Sequence, residues 1–202
     1  MSSRHAARAT AVALRPRAQG DREFLVELYG SVREPELAHV PWDDGTRNAF
    51  IEQQFASQDA HYREHYPGAT LDVVELDGEP AGRLYVHRGA SDIRIMDMAL
   101  APAFRGRGIG TRLLRTLIAE AEESARKLSI HVEMNNPARA LYERLGFRVA
   151  GEHGVYALME RPPVPNAGSK SSTGTTTSTS PPTPAASPAY DSHADPRQRV
   201  QR

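Results

Sequence analysis

The sequence predicts a mixed α/β fold in which a mostly antiparallel sheet of six to seven strands has helices on both faces. Three observations predict it: strand and helix patterns alternate along the chain, one central helix is strongly amphipathic, and an Asp-Gly turn joins two strands. The pattern occupies about residues 10–161, which is enough chain for one hydrophobic core.

The first half of this domain is predicted to hold two helices and a hairpin. Leu25 and Leu28 have helical spacing behind Asp21, and Asp77-Gly78 is typical of a tight hairpin turn. The expected elements are a strand at Val12–Arg15, helices at Asp21–Arg33 and Thr46–Glu64, and strands at Leu71–Leu76 and Pro80–His87.

The second half contains the clearest helix, over Gly108–Lys127, where Ile109, Leu113, Leu117 and Ala121 form one apolar stripe. Shorter elements surround this helix. They are strands at Ile93–Leu100, Ser129–Glu133, Phe147–Ala150 and Val155–Met159, and a helix at Pro137–Leu145.

The composition excludes several classes of function. The 202 residues carry 25 basic and 25 acidic side chains, so no long-range field favours nucleic acid or an anionic membrane as a partner. The chain has no cysteine, which excludes disulfides, thiolate nucleophiles and thiolate-bound zinc, and we expect no metal. No apolar run approaches the roughly 18–20 residues that span a bilayer. We therefore expect a cytoplasmic protein.

Both ends of the chain differ from the predicted domain. Residues 1–9 are expected to be a flexible N-terminus, and Ala11–Leu14 is too short an apolar patch for a secretory signal. Residues 162–202 are rich in Pro, Ser and Thr and have few large apolar side chains. Such a segment cannot offset about 1–2 kcal/mol per residue of backbone ordering, so we predict a disordered tail.

A glycine-rich turn, Arg105-Gly106-Arg107-Gly108-Ile109-Gly110, lies between a predicted strand and the clearest helix. A helix start leaves backbone N–H groups unpaired and carries about half a positive charge. Glycines let a phosphate approach these donors, and the arginines add charge-assisted hydrogen bonds. We interpret the turn as a pyrophosphate-binding site; a tight strand–helix junction is the alternative.

Spacing excludes two other nucleotide-binding motifs. The dinucleotide-binding fingerprint is G-x-G-x-x-G, whereas the glycines at 106, 108 and 110 give G-x-G-x-G. The Walker A motif requires a lysine after its second glycine, whereas Thr111 follows Gly110.

A second motif lies about 25 residues downstream and runs from Asn135-Asn136 to Gly146-Phe147. Within it Tyr142 stands beside an apolar helix face. A tyrosine in this place is usually a half-buried core residue, which is the alternative to a role in chemistry.

The two motifs together resemble those of the GNAT superfamily of N-acetyltransferases, most strongly over residues 93–161. That family's phosphate motif is Gln or Arg, two residues, Gly, one residue, and Gly or Ala. It is matched by Arg105, Gly108 and Gly110. The family's later motif is matched by Asn135 or Asn136, Ala138, Leu141-Tyr142 and Gly146-Phe147.

The resemblance implies acetyl-CoA as the acyl donor. In this family the strand before the glycine turn splays from its neighbour, and the pantetheine arm pairs with its exposed backbone. Here those partners would be the backbone groups of Met98, Ala99 and Leu100. The pyrophosphate is expected on Arg105, Gly106, Arg107, Gly108, Ile109 and Gly110, with the hydroxyl of Thr111. Beside the cofactor arm we expect Asn135, Asn136, Arg139 and Tyr142.

The resemblance also implies direct attack by a primary amine in a ternary complex. The backbone N–H of Leu100 would stabilise the oxyanion. Tyr142 would protonate the leaving sulfur, because its ordinary pKa near 10 lies above that of a thiol, about 8.5. Many relatives carry a glutamate early on the strand before the glycine turn, where this chain has Arg94. Asp97 is therefore the preferred base, and the alternatives are His131, Glu133, Glu34 and Glu36.

The acceptor is predicted to be an amine of a small molecule or a protein, selected by the Arg33–Gly68 region. Glu34, Glu36, Asp43 and Asp44 would attract a cationic amine there, or else form a charged solvated loop. We expect a monomer or homodimer. The alternative function is a catalytically silent module of the same fold that binds CoA or a protein.

Overall fold

The structure, a computed structural model, describes residues 11–163. Its seven strands are β1 (Val12–Pro16), β2 (Thr70–Leu76), β3 (Glu79–Arg88), β4 (Asp92–Leu100), β5 (Lys127–Glu133), β6 (Arg148–His153) and β7 (Tyr156–Arg161). Its helices are α1 (Arg22–Leu37), α2 (Asp44–His65), α3 (Ile109–Glu123) and α4 (Arg139–Arg144). None of these helices is long and apolar enough to cross a membrane. The expectations for residues 1–9 and 164–202 lie outside the described residues.

The strands form one sheet in the order β1-β2-β3-β4-β5-β7-β6, and only the β4–β5 pair is parallel. Met98 and Leu100 of β4 pack against the large cluster that contains α3, whereas Ala99 between them packs against α1 and α2. Successive residues of a strand point to opposite faces, so α3 lies on one face and α1 with α2 on the other. This confirms the predicted fold class.

The first helix is longer than predicted. A stop was expected at Arg33, but α1 continues through Pro35 to Leu37. Proline removes one helical hydrogen bond. The extended helix instead buries Leu37, which is 4 % exposed, and this burial favours the longer helix.

The main helix is shorter than predicted. α3 ends at Glu123 because Ala125 adopts a φ of 50°, a left-handed conformation that stops a helix. The sequence offers no glycine there to mark the end. The predicted apolar stripe is confirmed, since Ile109, Leu113 and Leu117 are all buried.

β4 and β5 pair over only half their length. Their register runs from Asp92 opposite Lys127 to Ile95 opposite Ile130 and then stops. At this point the β3–β4 register shifts by a bulge, and the rest of β4 pairs with β3 alone. The two strands therefore separate. We call the resulting space between 96–100 of β4 and 131–133 of β5 the β4–β5 gap.

Candidate active site

The backbone of β4 presents hydrogen-bonding groups to the gap. The Ala101 N–H donates to the Ala81 carbonyl at 2.9 Å. This bond determines which residues of β4 direct their backbone groups toward β3, because in an antiparallel pair every second residue does so. By that alternation Ala99 bonds toward β3, whereas Met98 and Leu100 point into the gap. Of the three predicted backbone partners, the structure thus leaves two facing the gap.

The glycine-rich turn closes one end of the gap. Gly106 and Gly108 have φ of 73° and 77°, a region that other residues rarely adopt. Gly108 is the N-cap of α3, so the first N–H groups of the helix, from Ile109 onward, point out of the turn. Thr111 follows in the first turn and lines a surface groove along α3.

The two arginines of the turn are exposed. Arg105 Nε donates to the Leu100 carbonyl at 2.8 Å and so ties the turn to the end of β4. The Arg107 guanidinium lies 5.4 Å from the centroid of the Phe104 ring. Neither guanidinium forms an ion pair with a carboxylate among residues 11–163.

The polar residues at the start of the Asn135–Phe147 motif form hydrogen bonds within the connection between β5 and α4. Asn136 Oδ1 accepts the Ala138 N–H at 2.9 Å, and Arg139 Nη1 donates to the Met134 carbonyl at 3.0 Å. Asn135 is exposed. In this structure the side chains of Asn136 and Arg139 thus shape the turn.

Tyr142 of α4 is 3 % exposed and packs edge-on against Phe147, with ring centroids 5.7 Å apart. Burial, and secondly the negative charge of Asp97, raise the pKa of Tyr142. The hydroxyl therefore keeps its proton at neutral pH. The assignment of Tyr142 as the acid and Asp97 as the base stays a prediction.

Asp97 belongs to a buried ion pair that sequence reasoning missed. Its Oδ2 accepts from Arg83 Nη2 at 2.6 Å and from the Tyr62 hydroxyl at 3.5 Å. The Arg83 side chain is 4 % exposed and lies 5.8 and 5.4 Å from the ring centroids of Tyr29 and Tyr85. The sequence signal that could have revealed this ion pair is an arginine in the middle of a strand whose neighbouring residues are mostly apolar.

A second carboxylate lies across the gap. Glu133 ends β5, and because Val132 packs toward α3, its side chain is on the face of α1 and α2. The Tyr156 hydroxyl donates to Glu133 Oε1 at 3.3 Å. Burial, and then the charge of Glu133, raise the pKa of Tyr156. Asp97 and Glu133 thus lie on one face of the sheet, on the two separating strands.

The acidic residues at the end of α1 and the start of α2 are largely engaged within the fold, and Glu34 and Glu36 lie in the last turns of α1 and not in a loop. Glu34 pairs with Arg47, and Glu36 pairs with Arg33 at 3.0 Å. Asp43 caps α2 by accepting the N–H of the residue three positions on at 2.9 Å. These contacts favour the solvated interpretation over attraction of a cationic amine.

Comparison with known proteins agrees with this geometry. The chain is 31% identical over 113 residues to a Bacillus subtilis (strain 168) protein provisionally named ribosomal protein bS18-alanine N-acetyltransferase, covering 55% of this chain and 67% of the relative. It is 41% identical over 90 residues to a mycothiol acetyltransferase of Corynebacterium glutamicum (strain R), covering 42% of this chain and 31% of the relative. The chain therefore spans about two thirds of the first relative and under a third of the second.

A solved structure shares the fold. The PaiA N-acetyltransferase of Thermoplasma acidophilum, crystallised with coenzyme A, superposes with a TM-score of 0.58 at 16% identity, covering 75% of this chain and 99% of that one. Residues 32–147, more than half of the chain, match the family model described as the acetyltransferase (GNAT) family. The chain belongs to the acetyltransferase (GNAT) family.

Proposed function

We propose that this protein transfers the acetyl group of acetyl-CoA to a primary amine by direct attack in a ternary complex. The observation that carries the proposal is the β4–β5 gap, which has the glycine turn at one end and Tyr142 beside it. The backbone groups of Met98 and Leu100 face this gap.

The residues present fit acetyl-CoA as the donor. A Cβ placed on Gly106 or Gly108 would meet no atom within 4 Å, so the space over the turn is open to a phosphate. The N–H groups at the start of α3 and the two exposed arginines supply donors for it. The backbone of Met98 would pair with the amides of the pantetheine arm, and the Leu100 N–H would remain for the thioester oxygen.

The chemistry then follows from the groups at the gap. The amine nitrogen bonds to the thioester carbonyl carbon, and the Leu100 N–H stabilises the resulting oxyanion. Collapse of this intermediate breaks the carbon–sulfur bond. Tyr142 donates its proton to the departing sulfur, and a carboxylate accepts the proton released by the amine.

The proposed proton acceptor is Asp97, with Glu133 as its competitor. Among the described residues both hydrogen bonds to Asp97 go to Oδ2, which leaves Oδ1 for the amine. Arg83 holds the carboxylate in one orientation. Glu133 lies on the same face of the sheet on the opposite strand, so substituting each carboxylate in turn decides between the two.

The first experiment is calorimetric titration of the protein with acetyl-CoA and with CoA. We expect micromolar binding that Arg105→Ala combined with Arg107→Ala weakens by about tenfold or more, because each guanidinium contributes a charge-assisted bond to phosphate. Arg148→Ala, an exposed arginine on β6, is the matched control and should bind as the unaltered protein does. No binding by the folded protein would refute the acetyltransferase proposal.

The second experiment identifies an acceptor. The two relatives named above differ in what their names say they act on, so similarity alone leaves the amine open. A peptide that begins with alanine is the first acceptor to test, with CoA release as the readout. Binding of acetyl-CoA without turnover on any amine would favour the silent CoA-binding module.

A further inference from the structure

The face of the sheet that carries Asp97 is only partly covered by helices. α1 packs on β3 and β4, whereas β5 is covered by α3 from the opposite side. On the open side, His131, Tyr156 and Leu158 of β5 and β7 are only partly buried. This leaves a surface beside the β4–β5 gap from which an acceptor can approach.

Arg94 is the positive charge of this surface that lacks a carboxylate partner. It is partly buried on β4, yet it forms no ion pair with any acidic group of residues 11–163. The other arginines of this face differ, since Arg33 binds Glu36 at 3.0 Å and Arg83 binds Asp97 at 2.6 Å. A partly buried guanidinium without a counter-ion is costly, and an incoming anion would offset that cost.

The contacts of Arg94 hold it in place without neutralising it. Its Nη2 donates to His131 Nδ1 at 2.6 Å, and its guanidinium carbon lies 5.8 Å from the centroid of the Tyr66 ring. Because arginine is always the donor, the His131 ring is neutral and accepts at Nδ1. Burial, and secondly the charge of Arg94, lower the pKa of His131 to about 4, so the histidine stays neutral at physiological pH.

The distance to the reacting groups limits what could bind there. Arg94 and Asp97 are three residues apart on one strand, so their Cα atoms are separated by at most about 10 Å. An acceptor whose amine reaches Asp97 can therefore place a second group, one to two residues away, against Arg94.

We propose that Arg94 is a specificity-determining residue that binds an anionic group, a carboxylate or a phosphate, of the acceptor amine. This inference rests on the proposed acetyl transfer and narrows its substrate class to amines that carry a nearby negative charge. A charge-assisted hydrogen bond of this kind favours the anionic acceptor by about tenfold or more in kcat/KM.

The test compares pairs of acceptors in which one member carries an anionic group and the other has a neutral group in its place. For a carboxylate, trialanine is compared with trialaninamide; for a phosphate, Ala-phosphoserine amide is compared with Ala-Ser amide. We expect one or both pairs to show the tenfold preference for the anionic member, and the pair that shows it identifies the anion. Equal rates in both pairs, or a preference for the neutral members, would overturn the proposal.

Substitutions assign the preference to Arg94. Arg94→Gln keeps a hydrogen-bond donor for His131 but removes the charge, so the preference should fall to near one. Arg94→Lys should retain most of it. Arg148→Gln removes the same charge three strands away, about 14 Å at ordinary strand spacing, and should leave it unchanged. Because each preference is a ratio within one variant, partial unfolding does not affect it. An unchanged ratio in Arg94→Gln would overturn the proposal.

A binding readout separates failure of this inference from failure of the acetyl-transfer proposal. The ring resonances of His131 are followed by NMR during titration with sodium succinate and with inorganic phosphate. If no amine is acetylated, a saturable shift in the unaltered protein that Arg94→Gln abolishes would still support an anion site. No such shift with either anion would overturn it.

Discussion

Tyr142 packs in the core and is also the proposed general acid. Its ring packs against Phe147 inside the main core, while its hydroxyl lies within the electrostatic reach of Asp97. The sequence left a core role and a catalytic role as alternatives. The structure places the ring in the core, and burial also keeps the hydroxyl protonated, as the proposed donation to a thiolate would require.

Tyr142→Phe tests the proposed acid. Phenylalanine keeps the ring and its contact with Phe147, so we expect the thermal midpoint and acetyl-CoA affinity to change little. We expect kcat to fall by about 10²–10⁴, the usual contribution of an acid–base group. Turnover assayed by CoA release, with calorimetry as the binding control, makes the measurement. A fall of less than about threefold would assign protonation of the sulfur to another donor.

Asp97→Asn and Glu133→Gln, assayed in parallel, identify the base. We expect Asp97→Asn to lose about 10²–10⁴ in kcat/KM at neutral pH and to recover part of it as the pH rises and the amine deprotonates unaided. Glu133→Gln should lose less. The reverse order would assign proton acceptance to Glu133 and leave Asp97 as the partner of Arg83.

The same Asp97→Asn variant has a consequence for stability. Removing the carboxylate leaves the buried charge of Arg83 without its counter-ion, and breaking a buried pair costs about 3–5 kcal/mol. Urea denaturation measures this loss, and rates must be compared at a temperature where the variant remains folded. Glu133→Gln is the control, because it also converts a carboxylate to an amide but leaves the Arg83–Asp97 pair intact.

At the scale of elements, the start of α3 depends on one backbone conformation. Gly108 has a φ of 77°, and a Cβ there would meet no atom within 4 Å. Gly108→Ala should therefore destabilise through backbone strain alone, by about 1–2 kcal/mol. It should also weaken acetyl-CoA binding, because the strain is relieved by moving the N–H groups that would face the phosphate.

Gly110→Ala is the matched control for this prediction. Gly110 lies inside α3, and its Cβ would meet Leu141 and Met98 only at 3.9 and 4.0 Å, which is ordinary contact. We expect unchanged or slightly higher stability, because alanine favours helix. Equal losses in the two variants, measured by urea denaturation, would contradict the conformational explanation.

The sequence predicted the elements whose signals are local. The apolar stripe of α3 and the Asp77-Gly78 turn, whose residues both have positive φ, stand where they were expected. The end of α3 was missed because Ala125 carries no sequence signal for a left-handed conformation. α1 passed its expected stop because burial of Leu37 is a tertiary contact that periodicity does not report.

The candidate site shows the same difference between local and tertiary signals. The glycine turn and Tyr142 were proposed from two short motifs, which are local signals. Arg83 was missed, because its pairing with Asp97 depends on β3 and β4 being neighbours with a particular register. The backbone groups of Met98 and Leu100 face the gap and those of Ala99 do not, because the latter bond to β3. Sequence spacing alone does not predict this difference.

At the scale of the whole molecule, the two faces of the sheet carry different parts of the candidate site. The face covered by α3 and α4 carries the glycine-rich turn and Tyr142, and the face covered by α1 and α2 carries Asp97 and Arg94. The β4–β5 gap connects the two faces. Donor and acceptor would therefore reach the reaction point from opposite sides of one sheet, so both could be bound at once, as direct transfer in a ternary complex requires.

The attachment of α1 to the edge of the sheet makes whole-molecule stability depend on pH. Both oxygens of Asp21 accept from Arg15 of β1 at 2.7 Å, and hydrogen bonding by Arg15 lowers the pKa of Asp21 to about 2. This contribution is complete above the unfolded pKa of 3.8 and is lost as the pH falls toward 2. Asp21→Asn should therefore lower the free energy of unfolding at pH 7 by on the order of 1–2 kcal/mol, and the difference from the unaltered protein should shrink between pH 4 and pH 3.

Urea denaturation from pH 7 to pH 3 measures this difference. The control is Glu23→Gln, an exposed neighbour in the first turn of α1. A difference of the same size at pH 7 and pH 3 would mean that Asp21 stabilises the fold by packing and capping, and that the ion pair contributes nothing measurable.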